Sequence, residues 1–331
     1  MHLHQWKRRK VITLLGGAAA WPIAAGAQGE RVRRIGVLVS GTETDREMQA
    51  RLGGLQQGLA RLGWAEGRNI SIEYRYAAAD AEQMHAAARE LVALHPDVLI
   101  GLATQPSVAL RQQTKTIPIV FTGAIDPIGA GLIVSIARPG GNATGLLLYE
   151  DSIAGKWLGM LKEIAPQTKR VATFLNPRTS PSVYLQAATA IAPSLAIEVV
   201  PIVIETAADI ERGMEAFGQT AGDALLVGPD LTAAMHRNLI IALAARLHLP
   251  AIYQARFWVE DGGLMSYGTD RVAANRQTAY YIDRILRSEQ PANLPVQGPT
   301  KFETFVNLKT AKALGISVPP RLLLAADEVI E

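Results

Sequence analysis

A chain of 331 residues is too long for one hydrophobic core of ordinary size and fits two domains. At 49% hydrophobic and 19% charged it is a foldable globular chain, not a disordered one. The formal charge of +3 is concentrated in one block, Lys7, Arg8, Arg9 and Lys10, without which the remainder carries about −1 and has no electrostatic footprint for nucleic acid. There is no cysteine, which excludes structural disulfides, thiolate catalysis and cysteine-ligated zinc.

The first 27 residues read as an export signal. The basic block precedes an apolar stretch, residues 11–25, which is short for a membrane span of roughly 20 residues and holds two glycines and Pro22. Small residues at Ala25-Gly26-Ala27 predict cleavage after Ala27. Arg8-Arg9-Lys10-Val11-Ile12 is similar to a twin-arginine signal; the other reading is an ordinary Sec leader. With no cysteine after the apolar stretch for a lipid anchor, the processed protein is expected free in the periplasm.

Beyond the signal, apolar β-branched runs alternate with helical patterns. Residues 35–39 read as a buried parallel strand. Residues 45–62 read as a helix, with Leu52, Leu55, Leu59 and Leu62 at helical spacing. A strand at 70–76, a helix at 81–94, a strand at 98–102, a helix at 106–114 and strands at 118–122 and 144–149 complete the first half. The series then restarts. Strands at 170–175, 197–204, 224–227 and 250–253 alternate with helices at 156–164, 182–194, 208–219 and 232–247. A further helix at 272–287, a proline-rich linker, a strand at 301–308 and a short helix at 310–315 follow. Val318-Pro319-Pro320-Arg321 reads as a turn before a short tail. Repeated βα units predict an α/β fold of two doubly wound parallel-sheet lobes.

The familiar catalytic signatures are missing. The sequence has no Walker loop, no GxGxxG after the first strand, no HExxH and no GxSxG. Gly53, Gly54 and Gly58 fall inside a predicted helix and read as packing contacts. His85, His95, His236 and His248 show no metal-ligand spacing, and no carboxylate pair suggests acid–base chemistry. No cofactor or metal is expected, and no enzymatic activity.

Position is more informative. In an open α/β sheet, ligands bind beyond the carboxyl ends of the strands. Those ends supply Ser40 and Thr42, Thr104 and Gln105, Thr122 and Asp126 in the first half. In the second they supply Asn176, Asp230, Tyr253 and Gln254, with Ser266 and Tyr267 on a possible return crossing. Short hydroxyl, amide and carboxylate groups with two tyrosines suit a small-molecule cleft. The same residue types also end strands because they cap helices and make turns.

Short motifs in a shared order carry a resemblance over the whole chain. They are the leader with Arg8-Arg9, Glu66-Gly67-Arg68-Asn69 after Gly63-Trp64, Ile117-Pro118-Ile119-Val120-Phe121, Asp126-Pro127, Arg138-Pro139-Gly140-Gly141-Asn142-Ala143-Thr144-Gly145, Asn176-Pro177, Gly263-Leu264-Met265-Ser266-Tyr267-Gly268 and Pro299-Thr300-Lys301-Phe302-Glu303. In these the chain resembles the tryptophan/tyrosine-type ABC-transporter substrate-binding proteins. The resemblance implies a type I periplasmic-binding-protein fold with three crossovers near Tyr149, Tyr267 and Pro299. The lobes would be residues 28–148 with 268–297, and 149–267 with 298–331, after a signal at 1–27.

It also implies a function. A monomer captures a small amino-acid-like or aromatic ligand by hinge bending and presents it to an ABC permease in the inner membrane, with no nucleic-acid partner. Asp126 or Asp230 would pair an ammonium group. Ser40, Thr42 or Thr104 would hold a carboxylate, and Tyr253 or Tyr267 would flank an apolar side chain. The rival readings are an exported sensor that feeds a receptor and, further off, an exported α/β enzyme.

Overall fold

The computed structural model describes residues 31–77, 80–150, 152–177 and 182–331, so the export-signal reading lies outside the described residues. The chain divides into two units, Met1–Val32 and Arg33–Glu331, and the fold is that of the second. In chain order its first part runs β1 (Arg33–Ser40), α1 (Arg46–Arg61), β2 (Ile70–Ala77), α2 (Ala81–Ala93), β3 (Val98–Leu102), α3 (Thr104–Gln113), β4 (Ile119–Thr122) and β5 (Ala143–Leu146). Next come α4 (Ile153–Ile164), β6 (Arg170–Leu175), α5 (Val183–Ile191), β7 (Glu198–Val203), α6 (Ala207–Phe217), β8 (Asp223–Val227), α7 (Leu231–Met235) and α8 (Arg237–Arg246). After these are β9 (Ala251–Tyr253), α9 (Arg256–Glu260), β10 (Met265–Gly268), α10 (Arg271–Leu286), β11 (Glu303–Asn307), α11 (Leu308–Ala313), α12 (Pro320–Ala325) and β12 (Glu328–Ile330).

The described strands form two sheets. The first is five-stranded and parallel, in the order β2-β1-β3-β4-β5. Its strands are apolar because both faces are covered. Leu52, Leu55 and Leu59 of α1 pack on one face with Ile282 and Ile285 of α10. Met84 and Leu91 of α2 and Leu110 of α3 cover the other. The second sheet is seven-stranded, in the order β12-β11-β10-β9-β8-β6-β7. It is parallel except where β11 runs antiparallel to β10. Helices α4 and α5, with Ala311 of α11 and Leu322 of α12, lie on one face, and α6, α8 and α9 on the other.

The chain passes between the sheets three times: after β5, between β10 and α10, and between Gln297 and β11. Gln297 itself bridges to Leu146 at the end of the first sheet. Helix α10 therefore returns to the first lobe, where it lies hard against α1. A Cβ on Gly54 would stand 2.6 Å from the Val272 carbonyl oxygen, and one on Gly58 2.3 Å from that of Arg276. These two glycines are packing contacts as expected; Gly53 faces open space.

Several elements differ from the sequence reading for local reasons. The helix expected over 232–247 breaks at His236, whose φ of −104° and ψ of 24° leave the helical region. The short helix α9 follows a strand that looked like the end of its unit. In the tail, Pro320 opens α12 at a position where a missing N–H costs nothing, and β12 then pairs with β11. His95 and His248 have φ values of 48° and 52° just past α2 and α8 and end those helices.

Candidate functional site

The carboxyl ends of both sheets face a cleft of about 120 Å³ between the lobes. From the first lobe it is lined by Ser40 and Gly41 after β1, Ala103, Thr104 and Gln105 after β3, Gly123 and Ile125 after β4, and Asp45, Glu47, Met48 and Arg51 at the start of α1. The second lobe contributes Asp230 at the end of β8, Ala234 and Met235 of α7, Arg237 of α8, Gln254 after β9 and Phe257 of α9. Tyr149 of the first crossover and Arg271 at the start of α10 complete the wall.

Helix capping sets several of these groups. Asp45 caps α1 by accepting from the Met48 N–H, and Asp230 caps α7 by accepting from the Ala233 N–H at 2.7 Å. Asp45 also reaches across the cleft, where its Oδ2 accepts from Arg237 Nη1 at 3.0 Å. Arg237 Nε donates in turn to Asp261 at 2.6 Å. Burial pulls the Arg237 pKa down, but the two carboxylates outweigh it and the net shift is upward. Glu47 lies 3.7 Å from Arg271. The guanidinium carbons of Arg237 and Arg271 stand 5.7 and 5.6 Å from the Phe257 ring centroid. The Tyr149 hydroxyl is 2.7 Å from the Gln254 carbonyl oxygen and 2.8 Å from its Oε1, which ties the first crossover to the second lobe. Burial pushes that phenol up to about 12.

The Asp45–Arg237 pair is partly exposed and contributes about 1 kcal/mol to the lobe-to-lobe contact. Arg237→Ala is expected to open the ligand-free protein, seen as a larger radius of gyration in solution scattering. An unchanged profile would show that the pair does not hold the lobes.

Glu47 has its pKa raised, first by burial, with Arg271 and Arg51 opposing. A carboxyl whose folded pKa lies above its unfolded value stabilises fully below the unfolded pKa and loses that contribution as pH rises through the folded one. Glu47→Gln is therefore expected to flatten this fall. The difference in melting temperature between variant and parent should change sign-consistently upward from pH 4.5 towards neutrality; a constant difference would contradict it.

Arg51 is distinctive. Its side chain is 2% exposed, it lines the cleft, and it has no hydrogen bond or ion pair among the described residues. Burial, then the like charge of Arg271, lowers its pKa to about 9. Ser40 Oγ is likewise buried with no hydrogen-bond partner among the described residues. Ala103 adopts a φ of 107°, a strained value for a residue with a side chain, at the point where β3 turns into the cleft.

Of the residues singled out in the sequence, Ser40, Thr104, Gln105, Asp230 and Gln254 come together on the cleft wall. Thr104 Oγ1 also accepts from the Ile125 N–H at 2.8 Å and so fixes the loop after β4. The others lie elsewhere. Thr42 is exposed on the loop before α1, 3.3 Å from Thr44 Oγ1. Asp126 turns its carboxylate onto the Gly129 N–H at 2.8 Å. Asn176 donates to Thr232 Oγ1 at 2.9 Å, behind α7.

Thr122, Tyr253 and Ser266 require a correction with one cause. Side chains alternate across a strand, and these three point to a sheet face covered by helices, unlike Ser40, which ends β1 and lines the cleft. Thr122 Oγ1 donates to Thr278 of α10 at 2.6 Å, because the Thr278 hydroxyl is given to the Ala274 carbonyl. The Tyr253 ring stacks on Trp258 at 4.9 Å inside the second lobe, and burial raises its pKa. Ser266 is fully buried in β10. Tyr267 stacks on Phe302 at 5.3 Å, beside the second and third crossovers. The aromatic groups at the cleft are Tyr149 and Phe257. Arg51 had a signal that went unread: it is a charged residue on the buried stripe of α1, between Met48 and Leu55.

Two α/β lobes joined by three crossovers around a charged cleft define a binding protein of the type I periplasmic-binding-protein fold. Residues 34–330 match the family model for ABC transporter substrate binding proteins, and the chain belongs to that family, whose members bind solutes and are not enzymes. It is 25% identical over 277 residues to a tyrosine-binding protein of Clostridioides difficile (strain R20291), covering 83% of this chain and 78% of that protein. A solved conserved domain protein from Vibrio cholerae O1 biovar El Tor superposes with a TM-score of 0.85 at 30% identity, over 90% of this chain and 100% of that one. The ABC domain from Streptococcus pneumonia in complex with L-Trp superposes at 0.84 with 26% identity, over 90% and 99%.

Proposed function

We propose that the protein is the solute-binding component of an ABC importer. It captures a small amino-acid-like or aromatic molecule between its lobes and delivers it to an inner-membrane permease. The cleft, built from the strand ends of both lobes and spanned by the Asp45–Arg237 pair, is the observation that carries this reading. The tyrosine-binding relative and the L-Trp complex support the ligand class. The basic block at 7–10 and Ala25-Gly26-Ala27 support export to the periplasm, where the protein acts as a monomer.

A thermal-shift screen of the purified protein against amino acids, aromatic acids and small organic acids tests it. A ligand that binds only the folded state raises the melting temperature by mass action, by about 2.7 kcal/mol of stability at a hundredfold excess over Kd. At least one clear upward shift is expected. A flat response across the panel, from folded and solute-free protein, would overturn the assigned ligand class.

A further inference from the structure

The charges on the cleft wall are unequally satisfied. Three carboxylates line it, and each has a partner. Asp45 takes Arg237 and the Met48 N–H, Glu47 faces Arg271, and Asp230 takes the Ala233 N–H. Of the three guanidiniums, Arg237 and Arg271 pair with those carboxylates and also flank the Phe257 ring. Arg51 alone forms no close ion pair or hydrogen bond among the described residues; the charges of Glu47 and Asp45 act on it only from a distance, and it is 2% exposed.

An unpaired buried cation is strongly unfavourable, and such groups are normally paired. The first lobe therefore holds a positive charge without a close partner and two further unmatched donors, the Ser40 hydroxyl and Arg271 Nε, against a cleft that an anion would complete. A guanidinium binds a carboxylate through two parallel N–H···O bonds. A ligand ammonium, by contrast, meets carboxylates already engaged, and the one aromatic ring of the second lobe on the cleft wall has a guanidinium beside it on two sides.

From this we infer that Arg51, with Ser40 at the end of β1, anchors the carboxylate of an organic anion, and that an α-ammonium group adds little to its binding. This rests on the capture reading above and narrows its ligand class from amino acids to carboxylic acids with an apolar or aromatic body. Arg51 is then held in place at a cost to the ligand-free protein, as binding residues commonly are.

A matched trio tests this: L-tyrosine, 3-(4-hydroxyphenyl)propanoate and tyramine, titrated by calorimetry and thermal shift into the parent protein, Arg51→Gln and Arg51→Met. The propanoate is expected to bind at least as tightly as tyrosine, and tyramine at least about 100-fold more weakly, the loss of a charged bidentate contact. Both variants should lose the response to the acids. Ligand-free Arg51→Met should melt a few degrees above the parent, about 2–4 °C for each kcal/mol of relieved charge burial. Binding of tyramine equal to that of the acid, acid binding that survives in Arg51→Gln, or a tenfold preference for tyrosine over the propanoate would overturn the assignment while leaving capture intact. If none of the trio binds, the ligand-free comparison decides: Arg51→Met melting below the parent makes Arg51 a structural residue and overturns the proposal, and melting above supports it. Failure of capture itself is read separately, from a flat response to the whole screening panel.

Discussion

Replacing Trp157 with alanine is expected to destabilise the protein by about 3–5 kcal/mol, the usual cost of removing a large buried aromatic. Trp157 is 1% exposed on α4, at the base of the crossovers. Its ring meets Tyr149 of the first crossover at 5.9 Å and Tyr184 of α5 at 5.8 Å. Its Nε1 donates to the Tyr267 carbonyl at 2.7 Å, at the second. Alanine would leave a cavity and an unpaired carbonyl under two of the three strands of chain that join the lobes. The melting temperature should fall by on the order of 10 °C. Trp157→Phe, which restores most of the volume but not the N–H, should recover more than half of the loss. Equal losses for both variants would show that the Tyr267 hydrogen bond, and not packing, dominates.

Gly268→Val is expected to damage stability and binding together. A Cβ at Gly268 would stand 1.9 Å from the Gln254 carbonyl oxygen and 3.4 Å from the Tyr149 ring. The obstacle is backbone, so the strand ends must separate, at a cost of about 3 kcal/mol or more. The same movement displaces Gln254 from the Tyr149 hydroxyl and from the cleft wall, so affinity for any ligand found should fall at least about tenfold. Gly159→Ala on α4 is the control: nothing lies within 4 Å of the added carbon, and alanine is the better helix former. Its melting temperature should stay level or rise. Unchanged stability of Gly268→Val would mean that the strand ends accommodate a side chain there.

These two positions mark what the sequence makes legible. Trp157 belongs to a helical pattern whose burial can be read directly. Gly268 closes the Gly263–Gly268 motif, which was legible only as a resemblance; the close approach that requires glycine is a tertiary fact. The βα alternation followed from apolar β-branched runs and leucine spacing, because both are local. The break at His236 and the helix Arg256–Glu260 depend on packing across the second lobe and leave little local trace.

The cleft was half legible for a similar reason. The rule about strand ends found Ser40, Thr104, Gln105 and Asp230, which stand at or past the last residue of a strand. It found Gln254 just past Tyr253 as well, but it also named Thr122 and Tyr253, each the last residue of its strand like Ser40, whose side chains turn into the sheet faces instead of the cleft. The charged wall came from helices α1, α8 and α10, which contribute to the cleft only once the lobes are assembled. Arg51 could have been found as a cation on an apolar stripe, but its lack of a close ion pair is visible only in three dimensions.

The central claim is capture by closure of two lobes. Small-angle scattering tests it most directly, on the purified protein stripped of any co-purifying solute and again after saturation with the best ligand of the screening panel. The radius of gyration should fall on ligand addition, and less ligand should be needed in the parent protein than in Arg237→Ala. A saturating ligand that leaves the scattering profile unchanged from the stripped protein would contradict closure and leave a cleft that binds without moving.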